Sequence, residues 1–205
     1  GFGRVGLSGV TEALARRGMS LVAEGTYTRN TTAVKTALIS LRKAKPDAVV
    51  MVGAYKPIAE FIRLSRKLKF NPTFVNISFV GSKALAEELG PDGEGVIISQ
   101  VVPFPWNTDL PVVADYQAAL KAVDPSAEPG FVSLEGYMVG RLAIEALRAA
   151  GPDVTRAGFL AAMAGLSNLD LGGANMVFGP DDNQGMEDVF LTMISGDGKF
   201  VALDQ

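Results

Sequence analysis

The chain opens GFGRVGLSG, and Gly1, Gly3 and Gly6 spell G-x-G-x-x-G. In a dinucleotide-binding turn such glycines bring a pyrophosphate against free N–H groups at a helix mouth, and an acidic residue about twenty positions on holds a ribose. Glu24 stands near that distance. The turn must follow directly on a strand, and here the chain begins at the first glycine. Glycines that let a loop turn into a helix account for the same pattern, and a dinucleotide-binding enzyme domain stays as an alternative.

Other chemistry is narrowed by what the chain lacks. There is no cysteine and no histidine. That removes thiol nucleophiles, disulfides, Ser-His and Cys-His pairs and the usual zinc ligands. Carboxylates, Lys, Ser and Tyr could still catalyse, but the commonest general base near neutral pH is missing. Asp181 and Asp182 adjoin Gly179, Pro180 and Asn183, a setting in which acidic residues make turns rather than metal sites. The expectation is a protein that is not an enzyme and carries no cofactor and no metal.

The 205 residues are 48% hydrophobic and 20% charged, with a formal net charge of -3, so the chain can bury one generous core or two small ones. The mild acidity gives no electrostatic reason to expect nucleic acid. The densest cationic stretch, residues 63–69, alternates with apolar residues and reads as a solvated helix face. No run reaches the roughly 18 apolar residues of a membrane span. A start at Gly1 rather than Met is read as a fragment or a processed product.

The elements that would position any site follow from periodicity. Leu7, Val10, Thr11 and Leu14 share one helical face, closed by Arg16, Arg17 and Gly18. A short strand is expected at 21–24. Val34, Ala37, Leu38 and Leu41 trace a second helix, with Asn30 and Thr31 as caps and Lys45 and Pro46 as its end. Residues 48–52 form a continuous apolar run, the pattern of a strand covered on both faces. Ile58, Phe61, Ile62, Ser65 and Leu68 mark a third helix, with Arg63, Arg66 and Lys67 turned away. Strands at 73–76 and 96–102 flank a short helix at 83–89. Strands alternating with helices imply a parallel α/β sheet with right-handed crossovers.

After Val102 the texture changes. Pro103, Pro105 and Pro111 interrupt the chain, and helices are expected over 112–122, 131–150 and 155–164. The middle one is apolar on much of its surface, as a helix lying against a sheet would be, yet no run of strands nearby provides that sheet. Residues 193–201 read as a terminal hairpin.

Ligands of parallel α/β sheets bind outside the carboxyl ends of the strands. Phe2 begins the first helix, Tyr27 follows the 21–24 run, Tyr55 follows 48–52, Ser78 and Phe79 follow 73–76, and Phe104 and Trp106 follow 96–102. Aromatics and hydroxyls at one sheet edge, without a charge constellation, describe a small-molecule pocket better than a catalytic one.

Taken in order, GFGRVGLSGVTEALARRG, KPDAVVMVGAYKPIAEFIRLSRKL, EGYMVGRLAIEALRAAG and the closing GDGKFVAL resemble the type I periplasmic solute-binding proteins of ABC importers, in the branched-chain amino acid class, also described as extracellular ligand-binding receptors. The resemblance covers nearly the whole chain. It implies two α/β lobes of Rossmann-like build with ligand held in the cleft between them. Residues 1–103 and 188–205 would form lobe two, and 104–187 a mainly helical portion of lobe one, whose sheet would lie upstream. It implies a periplasmic or extracellular protein that captures a small amino-acid-like or organic-acid ligand and delivers it to an ABC permease, with no nucleic acid involved. The ligand-sensing domain of a membrane receptor is the alternative output.

The resemblance also implies ligand contacts at Phe2, where tyrosine is common in the family, and at Tyr55. The family's acidic partner for a ligand α-ammonium falls on Ser78. Phe79 and Trp106 complete the expected set. A serine at that position argues for a carboxylate ligand without an amine, because a buried ammonium without a carboxylate is costly.

Overall fold

Apolar residues spaced three and four apart set the helices around a small sheet. The structure, a computed structural model, describes residues 1–203. The chain divides into one unit formed by Gly1–Gln100 together with the residues from Leu191 onward, and a second formed by Val101–Phe190.

In the first unit, α1 (Phe2–Ala15), α2 (Lys35–Ala44), β1 (Ala48–Met51), α3 (Tyr55–Lys67), β2 (Thr73–Ile77), α4 (Ser82–Leu89) and β3 (Ile97–Gln100) follow in sequence. After the second unit the chain returns as β6 (Phe190–Ile194) and β7 (Phe200–Leu203). The sheet order is β1-β2-β3-β6-β7. β1, β2 and β3 run parallel, with Ala48 opposite Thr73 and Val75 opposite Ile97. β6 and β7 pair antiparallel around a turn held by Asp197. The parallel α/β expectation and the terminal hairpin are both present.

One face of this sheet carries the core. Val49, Phe74, Ile98 and Ile194 lie in a single buried cluster with Leu38 of α2, Ile58, Phe61 and Ile62 of α3, and Leu85 and Leu89 of α4. The i, i+3, i+4 spacing in α3 turns Ile58, Phe61, Ile62 and Ser65 inward together.

Several sequence expectations need correction. Residues 21–24 form no strand: a strand exists through its ladder, and this run has no pairing partner among the described residues. Asn30 and Thr31 do not cap α2. Val34 stands at its N-cap, and Thr31 instead closes a turn ahead of the helix by donating to the Thr28 carbonyl. β1 is not covered on both faces, because it is an edge strand whose Val49 is buried while Val50 is exposed. Leu68 caps α3 from outside and is exposed.

Arg63 and Arg66 are not simply solvated either. Arg63 Nη1 lies 3.0 Å from the Glu88 carboxylate, and its other nitrogen donates to the Glu88 carbonyl. Arg66 donates to the Glu94 carbonyl at 2.6 Å. The carbonyls of a helix's last turn have no partner within the helix, and Arg63 supplies one for α4.

The second unit holds α5 (Pro111–Val123), α6 (Phe131–Ala150), α7 (Arg156–Ala164) and a two-stranded ribbon, β4 (Leu169–Asp170) with β5 (Asn175–Met176). Gly172, at φ +102°, brings its carbonyl to the Val112 N–H at 2.9 Å and so satisfies an orphan donor at the start of α5. The buried Tyr116 hydroxyl accepts from the Gly130 N–H at 2.9 Å and meets Ser133 Oγ at 2.6 Å, tying α5 to the mouth of α6. Phe131, Leu134, Met138 and Ala146 form the buried side of α6. Val132, Val139, Ile144 and Leu147 of the same helix are exposed, so the sheet expected against α6 is absent from this unit, whose only strands are β4 and β5.

Candidate functional site

The carboxyl ends of β1 and β2 open into the segments that carry three of the five expected site residues, Tyr55, Ser78 and Phe79. Phe2 is the first residue of α1, and Phe79 sits in a 3-10 turn, Ser78–Val80, directly after β2. Their ring centroids are 4.4 Å apart with planes tilted by 50°. Phe2 is 50% exposed and Phe79 64% exposed. Two large apolar rings in contact with each other while at least half of each residue faces solvent offer a ready apolar platform.

Ser78 precedes Phe79 in the same turn. The turn can pass straight into α4 because Gly81 adopts φ +80°, a left-handed conformation that side chains rarely tolerate. Tyr55 is the first residue of α3, reached from β1 through Val52, Gly53 and Ala54. It is half-buried and packs against the core, so it belongs partly to the scaffold and partly to the edge. Lys56 Nζ stands 6.0 Å from the Tyr55 ring centroid and adds a cation beside it. Tyr27 is also half-buried, and its hydroxyl lies so close to Gly53 that a side chain there would collide with it.

The charge at this edge has one sign. Residues 1–4, 53–57 and 77–82 contain Arg4 and Lys56 and no Asp or Glu. Within the first unit the structure therefore brings Phe2, Ser78 and Phe79 together, with Tyr55 on the same carboxyl edge one strand away.

Trp106 lies in the second unit. It forms an aromatic cluster with Phe104, centroids 5.0 Å apart, and with Phe131 at 5.8 Å, and its ring is 42% exposed. Gln117 steadies this loop by donating to the Pro105 carbonyl at 2.8 Å.

The fingerprint glycines now have a steric account. A Cβ on Gly6 would fall 2.5 Å from Val52 Cγ2, whereas Gly1 and Gly3 have open space around them. Only Gly6 is required by packing, where α1 passes over the chain leaving β1. Asp182 makes a turn, accepting from the Gln184 N–H at 2.9 Å. Among the described residues there is no group of three or more carboxylates able to hold a metal ion. A concavity of about 290 Å³ lined by Lys45, Asp47, Lys69 and Phe70 lies at the amino ends of β1 and β2, opposite the aromatic edge.

Comparison with known proteins agrees with this anatomy. The family model for periplasmic binding proteins matches residues 1–199. A possible leucine/isoleucine/valine-binding protein from Rhodopirellula baltica SH 1 is 38% identical, with a TM-score of 0.82, over 88% of this chain and 49% of its own. An extracellular ligand-binding receptor from Verminephrobacter eiseniae ef01-2 is 27% identical over 80% of this chain and 49% of its own, with a TM-score of 0.65. A fatty acid ABC transporter substrate-binding protein from Thermomonospora curvata shares the fold, with a TM-score of 0.83 at 22% identity, over 97% of this chain and 52% of its own. A search of curated proteins found no match. The chain spans about half the length of these solved relatives. With a parallel α/β sheet, a family match over nearly all its residues and solute-binding structural neighbours, the chain belongs to the periplasmic binding protein family, in its type I fold.

Proposed function

We propose that this chain is the ligand-capturing part of an ABC importer's substrate-binding protein, working outside the cytoplasmic membrane and handing a small organic acid or amino-acid-like solute to a permease. Residues 1–103 and 188–205 are lobe two in this reading, and 104–187 belong to lobe one. The ligand lies in the cleft between lobes, and closure about the crossover segments buries it. Phe2, Tyr55, Ser78 and Phe79 contact it from lobe two, and Trp106 from lobe one.

The observation that carries the reading is the exposed Phe2–Phe79 pair, 4.4 Å apart, at the carboxyl edge where parallel α/β sheets take their ligands. Charge narrows the ligand. Enclosing an ammonium without a carboxylate partner costs several kcal/mol, and residues 1–4, 53–57 and 77–82 supply cations only. An apolar or aromatic carboxylate without an α-ammonium suits such an edge better than a standard amino acid. No helix among the described residues is long and apolar enough to cross a membrane.

A thermal-shift and calorimetry screen of matched pairs tests both levels. Isocaproate is set against leucine and phenylacetate against phenylalanine, within a wider set of amino and organic acids. Binding of the acids in preference to their amino counterparts is the expected result. Preference for the amino acids would overturn the ligand class and leave the transport reading standing. No stabilisation by any solute would overturn the transport reading.

A further inference from the structure

The chain leaves the first unit after Gln100 and re-enters it at Leu191. Those two points lie on neighbouring strands, β3 and β6. Beside them sits a side-chain network with almost no exposed surface: Ser82, Gln100 and Thr192 are 4%, 1% and 1% exposed. Gln100 Nε2 donates to Ser82 Oγ and to Thr192 Oγ1, each at 3.0 Å. Thr192 Oγ1 in turn donates to the Ile98 carbonyl at 3.1 Å. Both protons of the Gln100 amide are thus used, on two different elements.

Stability alone is a poor reason for this arrangement. Buried polar groups are costly unless fully paired, and apolar side chains of similar volume fill a core at least as well. What directional bonds add is a fixed relative placement of the groups they join. Here they join the last residue before one crossing, the second residue after the other, and the first residue of α4. That helix begins three residues after Phe79, so the turn carrying the exposed aromatic is held to the same network.

We propose that Ser82, Gln100 and Thr192 are positioning residues that lock both crossing strands and the Phe79 turn into one body. Movement between the units then pivots beyond Gln100 and before Leu191, not within the sheet. A ligand pressing on Phe79 acts on the crossings through Ser82; that last step rests on the proposed function, whereas the lock itself does not.

The test needs no ligand. Because the chain has no cysteine, spin labels at Lys43→Cys on α2 and Ala149→Cys on α6 report the distribution of distances between units. Gln100→Leu and Thr192→Val should each broaden that distribution about twofold. Ser65→Ala removes an equally buried hydroxyl, which donates to the Phe61 carbonyl at 2.7 Å within α3, and should leave the width unchanged. Equal widths in all folded variants, or equal broadening in the Ser65 control, would overturn the proposal. Should both network variants fail to fold, amide exchange of the unaltered protein decides. Protection should stay high through Gln100 and from Leu191 on, and drop between them at 101–103; loss of protection reaching into β3 and β6 contradicts the lock.

Discussion

Gly6 of α1 lies against Val52, so close that a Cβ at Gly6 would sit 2.5 Å from a valine methyl, while Gly3, one turn earlier, has nothing within 4 Å. The two glycines should therefore respond oppositely to alanine. Gly3→Ala gains helix propensity and should stabilise by up to about 1 kcal/mol. Gly6→Ala gains the same propensity but must displace a stiff β-branched neighbour, for a net loss of about 1–2 kcal/mol. Urea unfolding of both variants reads the difference. A nucleotide site would make both substitutions costly to NADH binding, and fluorescence titration should show no such binding to lose.

Ser78 is where the account places ligand polarity. Ser78→Asp adds a carboxylate beside Phe79 on an edge that otherwise carries only Arg4 and Lys56. A charge-assisted bond is about twice as strong as a neutral one, so the variant should gain affinity for amino acids relative to their deaminated counterparts. Calorimetry with leucine and isocaproate checks the change in ratio, and an unchanged ratio would remove Ser78 from the site.

Lys45 and Lys69 both adopt left-handed backbone conformations, at φ 51° and 54°, just past the ends of α2 and α3. A side chain in that region costs about 1–2 kcal/mol, part of which glycine returns as unfolded-state entropy. Lys45→Gly and Lys69→Gly should each stabilise by about 0.5–1 kcal/mol, each at its own helix end. Thermal unfolding of the single and double variants measures this.

The hairpin turn carries a pH signature. The Ser195 hydroxyl, followed by Lys199, holds the Asp197 carboxyl down to about 2 from its ordinary 3.8. Because the folded value lies below the unfolded one, the stabilisation is present above about pH 4 and fades as pH falls toward 2. Asp197→Asn cannot titrate, so its stability deficit against the unaltered protein should shrink over that interval. A constant deficit would show that the turn does not depend on the ionised carboxylate.

Much of this architecture is readable from residue order, and the failures have a common cause. The i, i+3, i+4 apolar spacing of Ile58, Phe61 and Ile62 fixes which side of α3 is buried, and the turn residues 195–199 announce the hairpin. Residues 21–24 fail because a short apolar run records a willingness to pair, whereas a strand needs a partner in space. Arg63 and Arg66 look solvated because spacing reveals a polar face but not that the Glu88 and Glu94 carbonyls approach it.

The Ser82–Gln100–Thr192 network spans 18 and 92 positions and so has no local signal. A polar Gln100 inside an apolar strand run was the one available hint. At the site, strand ends place Tyr55, Ser78 and Phe79 on one edge, but the contact of Phe2 with Phe79 depends on where α1 settles, which no local pattern records. Trp106 follows a strand in sequence yet packs with Phe104 and Phe131 in the other unit, because the chain crosses over after Gln100.

Calorimetric titration of Phe2→Ala and Phe79→Ala with the tightest ligand from the screen reads directly whether the two rings grip the solute. Both rings are at least half exposed, so neither truncation should lower the unfolding midpoint appreciably. Loss of an aromatic contact in an enclosed cleft should weaken binding by about tenfold or more in each variant. Wild-type affinity in both folded variants would contradict the account, because the stacked pair would then have no part in gripping the solute.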